Sequence, residues 1–134
     1  MIVLDEHLQE VGLEDAISRW YRGRVCNILS LRPGSVIKDD GIPTLLRMAT
    51  QPTFVTLNWT DFWPHAAAHA GFCVVCFTLL PDRAREISPL LRRLLRLPAF
   101  KTKAARMGKV VRVSGDQVTY RQARDPQTYL LRLP

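Results

Sequence analysis

Short apolar runs of strand length alternate along this chain with segments of helical spacing, and that alternation limits its fold more than any other feature. Ile2-Val3-Leu4 opens the series, and Arg24–Leu31 (RVCNILSL) follows, stopped by the turn signal Arg32-Pro33-Gly34. Thr53–Leu57 (TFVTL) and Phe72–Leu80 (FCVVCFTLL) are the third and fourth strand candidates. Between the first two, Leu8, Val11, Leu13, Ile17 and Trp20 fall at roughly helical spacing. Asp39-Asp40-Gly41-Ile42-Pro43 reads as a helix start: proline suits the first turn, and acids favour the positive end of the helix dipole. That helix runs through Leu45, Leu46 and Met48 and ends near Thr50-Gln51-Pro52. From Asp82 a further helix carries Ile87, Leu90, Leu91, Leu94 and Leu95 on one side, with Ser88-Pro89 set to break or restart it. Lys109–Val113 and Gln117–Tyr120, joined by Ser114-Gly115-Asp116, predict a hairpin, and Tyr129–Leu133 offers a last short strand. Strands alternating with helices predict one α/β domain over residues 1–134, a mainly parallel central sheet flanked by helices with a C-terminal β-hairpin.

With 134 residues, 47% of them hydrophobic, such a domain can bury a real core. The longest apolar run, Gly71 to Leu80, is about half of the ~20 residues that a bilayer span needs. The apolar start at Met1–Leu4 meets Asp5-Glu6 too soon to be a signal peptide. The expectation is a cytoplasmic protein that makes no membrane contact. Cys73 and Cys76 form a CxxC inside a strand, where residues three apart point to opposite faces and cannot share a metal or a disulfide. With Cys26 they read as buried apolar side chains.

Charge is distributed unevenly. Residues 1–82 carry six Lys/Arg against nine Asp/Glu, whereas residues 83–112 carry ten Lys/Arg against the single acid Glu86. An acidic part joined to a concentrated basic part suits a protein that holds a divalent cation while gripping a polyanion. The acids also stand at element ends: Asp5 after the first strand, Asp39 and Asp40 at a helix start, and Asp61 just past the third strand. Ligands of open α/β sheets collect outside the carboxyl ends of the strands, so these acids are candidates for one cleft. Mg²⁺ or Mn²⁺, hard ions that take oxygen ligands, would relieve the repulsion among them. Arg85, Arg92, Arg93, Arg96, Lys101, Lys103 and Arg106 are the candidate RNA-binding residues. His65 and His69 share a helical spacing but lack the glutamate of an HExxH zinc motif, and they read as surface or packing residues.

Val3-Leu4-Asp5-Glu6, then Asp39-Asp40-x-Ile42, then Phe54-Val55-Thr56-Leu57-Asn58-x-x-Asp61-Phe62 resembles the short bacterial PIN-like domain family. The strand at 72–80, the helix after it and the closing hairpin occur in matching order, so the resemblance covers most of the chain. It implies a PIN-like three-layer sandwich and a Mg²⁺- or Mn²⁺-dependent endoribonuclease, the toxin of a toxin–antitoxin pair. By position, Asp5 matches the first catalytic acid, Asp39 or Asp40 the second and Asp61 the acid of the third segment, with Asp5, Asp40, Asp61 and Asn58 as implied metal ligands. Asn58 stands where the family usually has an aspartate, and it brings a carbonyl oxygen without charge. The resemblance also implies an RNA substrate, a small antitoxin partner and a homodimer. The alternative is a non-catalytic RNA- or partner-binding module on the same fold, its metal site degraded.

Overall fold

The computed structural model describes residues 1–9, 12–32 and 41–134, and for Asp61 only the backbone. Seven strands form one sheet: β1 (Ile2–Leu4), β2 (Val25–Asn27), β3 (Thr53–Thr56), β4 (Cys73–Phe77), β5 (Lys109–Ser114), β6 (Gln117–Gln122) and β7 (Thr128–Arg132). Their order is β2-β1-β3-β4-β5-β6-β7. The sheet is mixed: pairing is parallel from β2 across to β5 and antiparallel from β5 to β7. The change of direction follows from loop length. Two residues, Gly115 and Asp116, join β5 to β6, and a loop that short can connect only antiparallel neighbours. Gly115 takes φ +60°, the left-handed value that tight hairpin loops need and that glycine adopts without strain.

Every residue of β1, β3 and β4 is buried, so the central strands are covered on both faces. On one face Leu4, Val55, Val75 and Val111 join Leu13 and Ile17 of α1 (Leu13–Ser18). Ile87, Leu91 and Leu94 of α4 (Ile87–Leu94) complete that layer. On the other face Val3, Phe54, Val74 and Val110 pack with Ile42 and Leu46 of α2 (Ile42–Met48) and Phe62 of α3 (Trp59–Phe62). A short α5 (Lys103–Arg106) precedes β5. Among the described residues no helix is long and apolar enough to cross a membrane.

Three elements differ from expectation for local reasons. The second strand stops at Asn27 because its side-chain oxygen accepts from the Leu29 amide (3.0 Å) and caps a 3-10 turn over Ile28–Leu31. The helical segment after Asp5 is a 3-10 turn, Glu6–Leu8, and then a separate α1. The helix expected from Asp82 is a 3-10 turn, Pro81–Glu86, followed by α4, whose first turn holds Pro89, where no donated hydrogen bond is lost.

Cys73 and Cys76 join the cores on opposite faces of the sheet. Burial pushes both thiols up to about 12. At about pH 8 only roughly one part in ten thousand of either is thiolate, the reactive form. Alkylation of the folded protein should therefore leave both unlabelled, and all three cysteines should react once denaturant is added. Mass spectrometry of the adducts reads the difference, and fast native labelling of Cys73 or Cys76 would contradict this packing.

Candidate functional site

The carboxyl ends of β2, β1 and β3 lie side by side, and a polar line crosses them. Asp5 follows β1 in extended conformation and is only 5% exposed. One carboxylate oxygen accepts from the Glu6 amide (2.8 Å), which caps the 3-10 turn. The other accepts from the Thr56 hydroxyl at 2.6 Å. Thr56 is fully buried at the end of β3, and its oxygen accepts in turn from the Asn58 amide (3.0 Å). On the far side the Asn27 side-chain amide donates to the Asp5 carbonyl (3.0 Å). The half-exposed His7 brings Nδ1 to 3.4 Å from the same Asp5 oxygen that Thr56 holds. These bonds fix both the backbone and the rotamer of Asp5, and a carboxylate with two single bonds accepted keeps lone pairs for a cation.

Asn58 opens α3, and its side-chain oxygen accepts from the Thr60 hydroxyl at 3.4 Å. Asp61 is carried on α3, five residues beyond Thr56, and its side chain lies outside the described residues. Asp39 and Asp40 also lie outside them. Among the described residues no group of three or more His, Cys, Asp or Glu side chains stands ready to hold a metal. The oxygens that are described, from Asp5 and Asn58, suit a hard ion such as Mg²⁺ or Mn²⁺ better than a soft one.

The same face continues toward the hairpin. Thr56 pairs with Cys76, Cys76 with Arg112, and Arg112 with Thr119. Three strand spacings from Asp5, about 14 Å, the cationic row begins. The Arg112 and Arg121 guanidinium carbons lie 5.0 and 4.7 Å from the centroid of the Trp63 ring. Arg121 also donates to the Ala66 carbonyl (2.6 Å), and burial draws it below the ordinary arginine value.

Compared with protein-family models, with curated proteins and with solved structures, the chain matches none.

The candidate RNA-binding residues are not beside Asp5. Arg92 and Arg93 belong to α4, which covers the sheet face opposite Thr56, and Arg96 follows directly. Arg85 is exposed on the preceding 3-10 turn, and Lys101 and Lys103 are exposed around the start of α5. Arg106 is a correction: it is 2% exposed and spent inside the protein. It donates to the Thr53 hydroxyl (3.0 Å), the Phe100 carbonyl (2.9 Å) and the Tyr21 hydroxyl (3.4 Å). Thr53 opens β3 where Thr56 closes it, so Arg106 sits at the edge of the sheet away from Asp5. Sequence reasoning passed over Thr56 as a holder of Asp5, and over Arg112 and Arg121. The available signal was parity: Arg112 is two residues from Val110 and so shares its face of the strand. His65 is exposed, and His69 stacks on Phe72 with centroids 5.2 Å apart.

Proposed function

We propose that this protein is a metal-dependent endoribonuclease with a PIN-like three-layer arrangement. The observation that carries the reading is the buried Asp5 carboxylate, aligned by Thr56 at the carboxyl end of a central strand. Among the described residues Asp5 has His7 at 3.4 Å but no Lys or Arg paired with it, and a buried carboxylate gains when a bound cation completes it. Asp5 and Asn58 would hold Mg²⁺ or Mn²⁺, with Asp61, Asp39 and Asp40 as the further acids. When bound, such an ion supplies Lewis acidity toward a phosphodiester and an activated water. Thr56 keeps the Asp5 oxygen aimed, and the Asn58 amide keeps Thr56 in its rotamer. Arg112 and Arg121, braced against Trp63, are set to bind a phosphate about two nucleotides away on the same face. In this reading the protein is cytoplasmic, acts as the toxin of a toxin–antitoxin pair, and is neutralised by a small antitoxin, with a homodimer as its assembly.

The experiment is incubation of the purified protein with labelled single-stranded RNA in Mg²⁺ or Mn²⁺, beside an EDTA control. Cleavage with either ion and none in EDTA supports the nuclease. Asn58, neutral where the resembled family carries an acid, favours a second reading, a binding module without catalysis. Folded protein that binds RNA and leaves it intact in every tube selects that reading.

Thr56→Val keeps the shape and removes the hydroxyl. Leaving the Asp5 oxygen and the Asn58 amide without their partner should cost about 1–3 kcal/mol of stability. Cleavage at saturating Mg²⁺ should fall about tenfold or more, the scale of losing one positioning contact, while Thr56→Ser keeps both. Equal cleavage rates in the valine variant and the parent would remove Thr56 from the mechanism.

A further inference from the structure

We propose that the chain binds single-stranded nucleic acid along a cationic belt on the α1–α4 side of the molecule, separated from Asp5 by the sheet. The belt is two grooves that meet at adjacent aromatic rings. One, of about 330 Å³, is lined by Trp20, Ser88, Pro89, Arg92, Arg93 and Arg96. The other, of about 370 Å³, is lined by Tyr21, Arg22, Gly23, Lys101, Lys103 and Arg106. The Trp20 and Tyr21 centroids are 6.1 Å apart with the rings nearly perpendicular, so each groove has a ring in its wall. Both rings are fixed from behind. Trp20 Nε1 donates to Ser88 Oγ (3.0 Å), and the Tyr21 hydroxyl accepts from Arg106 (3.4 Å).

Arg93 donates to the Pro134 backbone oxygen (3.0 Å), but among the described residues no acidic side chain pairs with the exposed cations of the belt. Ion pairs among the described residues join Asp5 to His7, Arg83 to Glu86 and Asp116 to Arg132, and none reaches the belt. Arg22, Arg92, Arg96, Lys101 and Lys103 are all exposed. The Met1 ammonium is pushed below its ordinary value by burial and then by the Lys103 and Arg106 charges, as expected in a strongly positive field. A single-sign field of this kind steers a polyanion toward the protein. Fixed rings within it favour a ligand with planar faces to stack, which single-stranded nucleic acid has and an acidic peptide lacks. A duplex would keep its bases turned inward.

The belt does not serve the acidic cleft directly. Arg106 reaches Thr53, where β3 starts, whereas Asp5 reaches Thr56, where it ends, and α4 covers the opposite face. The inference therefore stands apart from the cleavage chemistry and is read without divalent ion.

The test is fluorescence anisotropy of a labelled oligouridine, ~20 nucleotides long so that several phosphates can be engaged, in EDTA over a salt series. The parent protein is compared with Arg112→Ala and with a combined Arg92→Ala, Arg96→Ala, Lys101→Ala variant, each checked by its melting curve. The combined variant should lose about tenfold or more in affinity, and its log K against log salt slope should fall by about 2, three contacts at roughly 0.7 each. Poly-glutamate of matched charge should compete at least about tenfold less well than unlabelled oligouridine, because it cannot stack. No binding by the parent protein would overturn the proposal. So would an unchanged combined variant beside a defective Arg112→Ala, which moves binding to the other face. Equal competition by poly-glutamate would make the belt a surface for acidic proteins, and that too overturns it.

Discussion

Replacing Asp5 by Asn should lower metal-dependent RNA cleavage by about 10³-fold, the scale of several kcal/mol of lost charge stabilisation. The fold should survive the change. The Glu6 amide still finds an oxygen to donate to, and the Thr56 hydroxyl, with two lone pairs, can accept from the new side-chain amide as well as from Asn58. The stability cost is thus about 1 kcal/mol, the net worth of one rearranged hydrogen bond. That separation of activity from stability is what makes the variant informative. Cleavage measured at rising Mn²⁺ should not recover, because the charge is gone and not merely displaced. Full activity in Asp5→Asn would sink the nuclease reading built on this carboxylate, whatever else cleaves RNA in the tube.

Arg106→Met should be the most destabilising change among the basic residues. It leaves the Phe100 carbonyl and the Thr53 and Tyr21 hydroxyls without their common donor in a site that is nearly closed to water. Loss of a buried donor with several partners costs about 3 kcal/mol. For a chain of this size each kcal/mol lowers Tm by roughly 3–5 °C, so a fall on the order of 10 °C is expected. Arg106→Lys should recover little, since a single ammonium cannot reproduce a planar fork that reaches three acceptors. The matching control is Arg96→Ala, which removes an exposed side chain and should leave Tm within about 2 °C. If thermal melting ranks the two variants the other way, Arg106 is not the internal strut described above.

The contrast between those two arginines shows where the sequence stops being readable. A run rich in Lys and Arg announces positive charge, but nothing local says which member turns inward. Arg106 does so because the amino edge of β3 and the turn at Phe100 offer it acceptors, and those lie 53 and 6 residues away. Strand β4 was legible because an unbroken apolar run of its length is satisfied only in a sheet covered on both faces. The end of β2 was not, because a single asparagine cap decided it. Asp5 was legible as an acid at a strand end, but Thr56 as its holder depends on the pairing of β1 with β3, a register absent from either segment alone. The basic helix lies apart from Asp5 for a topological reason. Leu91 and Leu94 seat α4 on the face away from Thr56, so its arginines go with it. Asp39, Asp40 and the Asp61 side chain lie outside the described residues, and their convergence on Asp5 is a matter for the Asp61→Asn and Asp40→Asn variants.

The strand order carries a consequence for how the molecule is made. The neighbours of β1 are β2 and β3, both later in the sequence, and the bond that aims Asp5 spans 51 residues. Contacts of such long sequence separation form late, because the loop between them must be closed first. The β5–β6–β7 meander, by contrast, pairs strands that are close in sequence and can form locally. A nascent chain halted before Thr53 therefore has the Asp5 carboxylate with its Glu6 and Asn27 partners but lacks the Thr56 hydroxyl that completes the alignment.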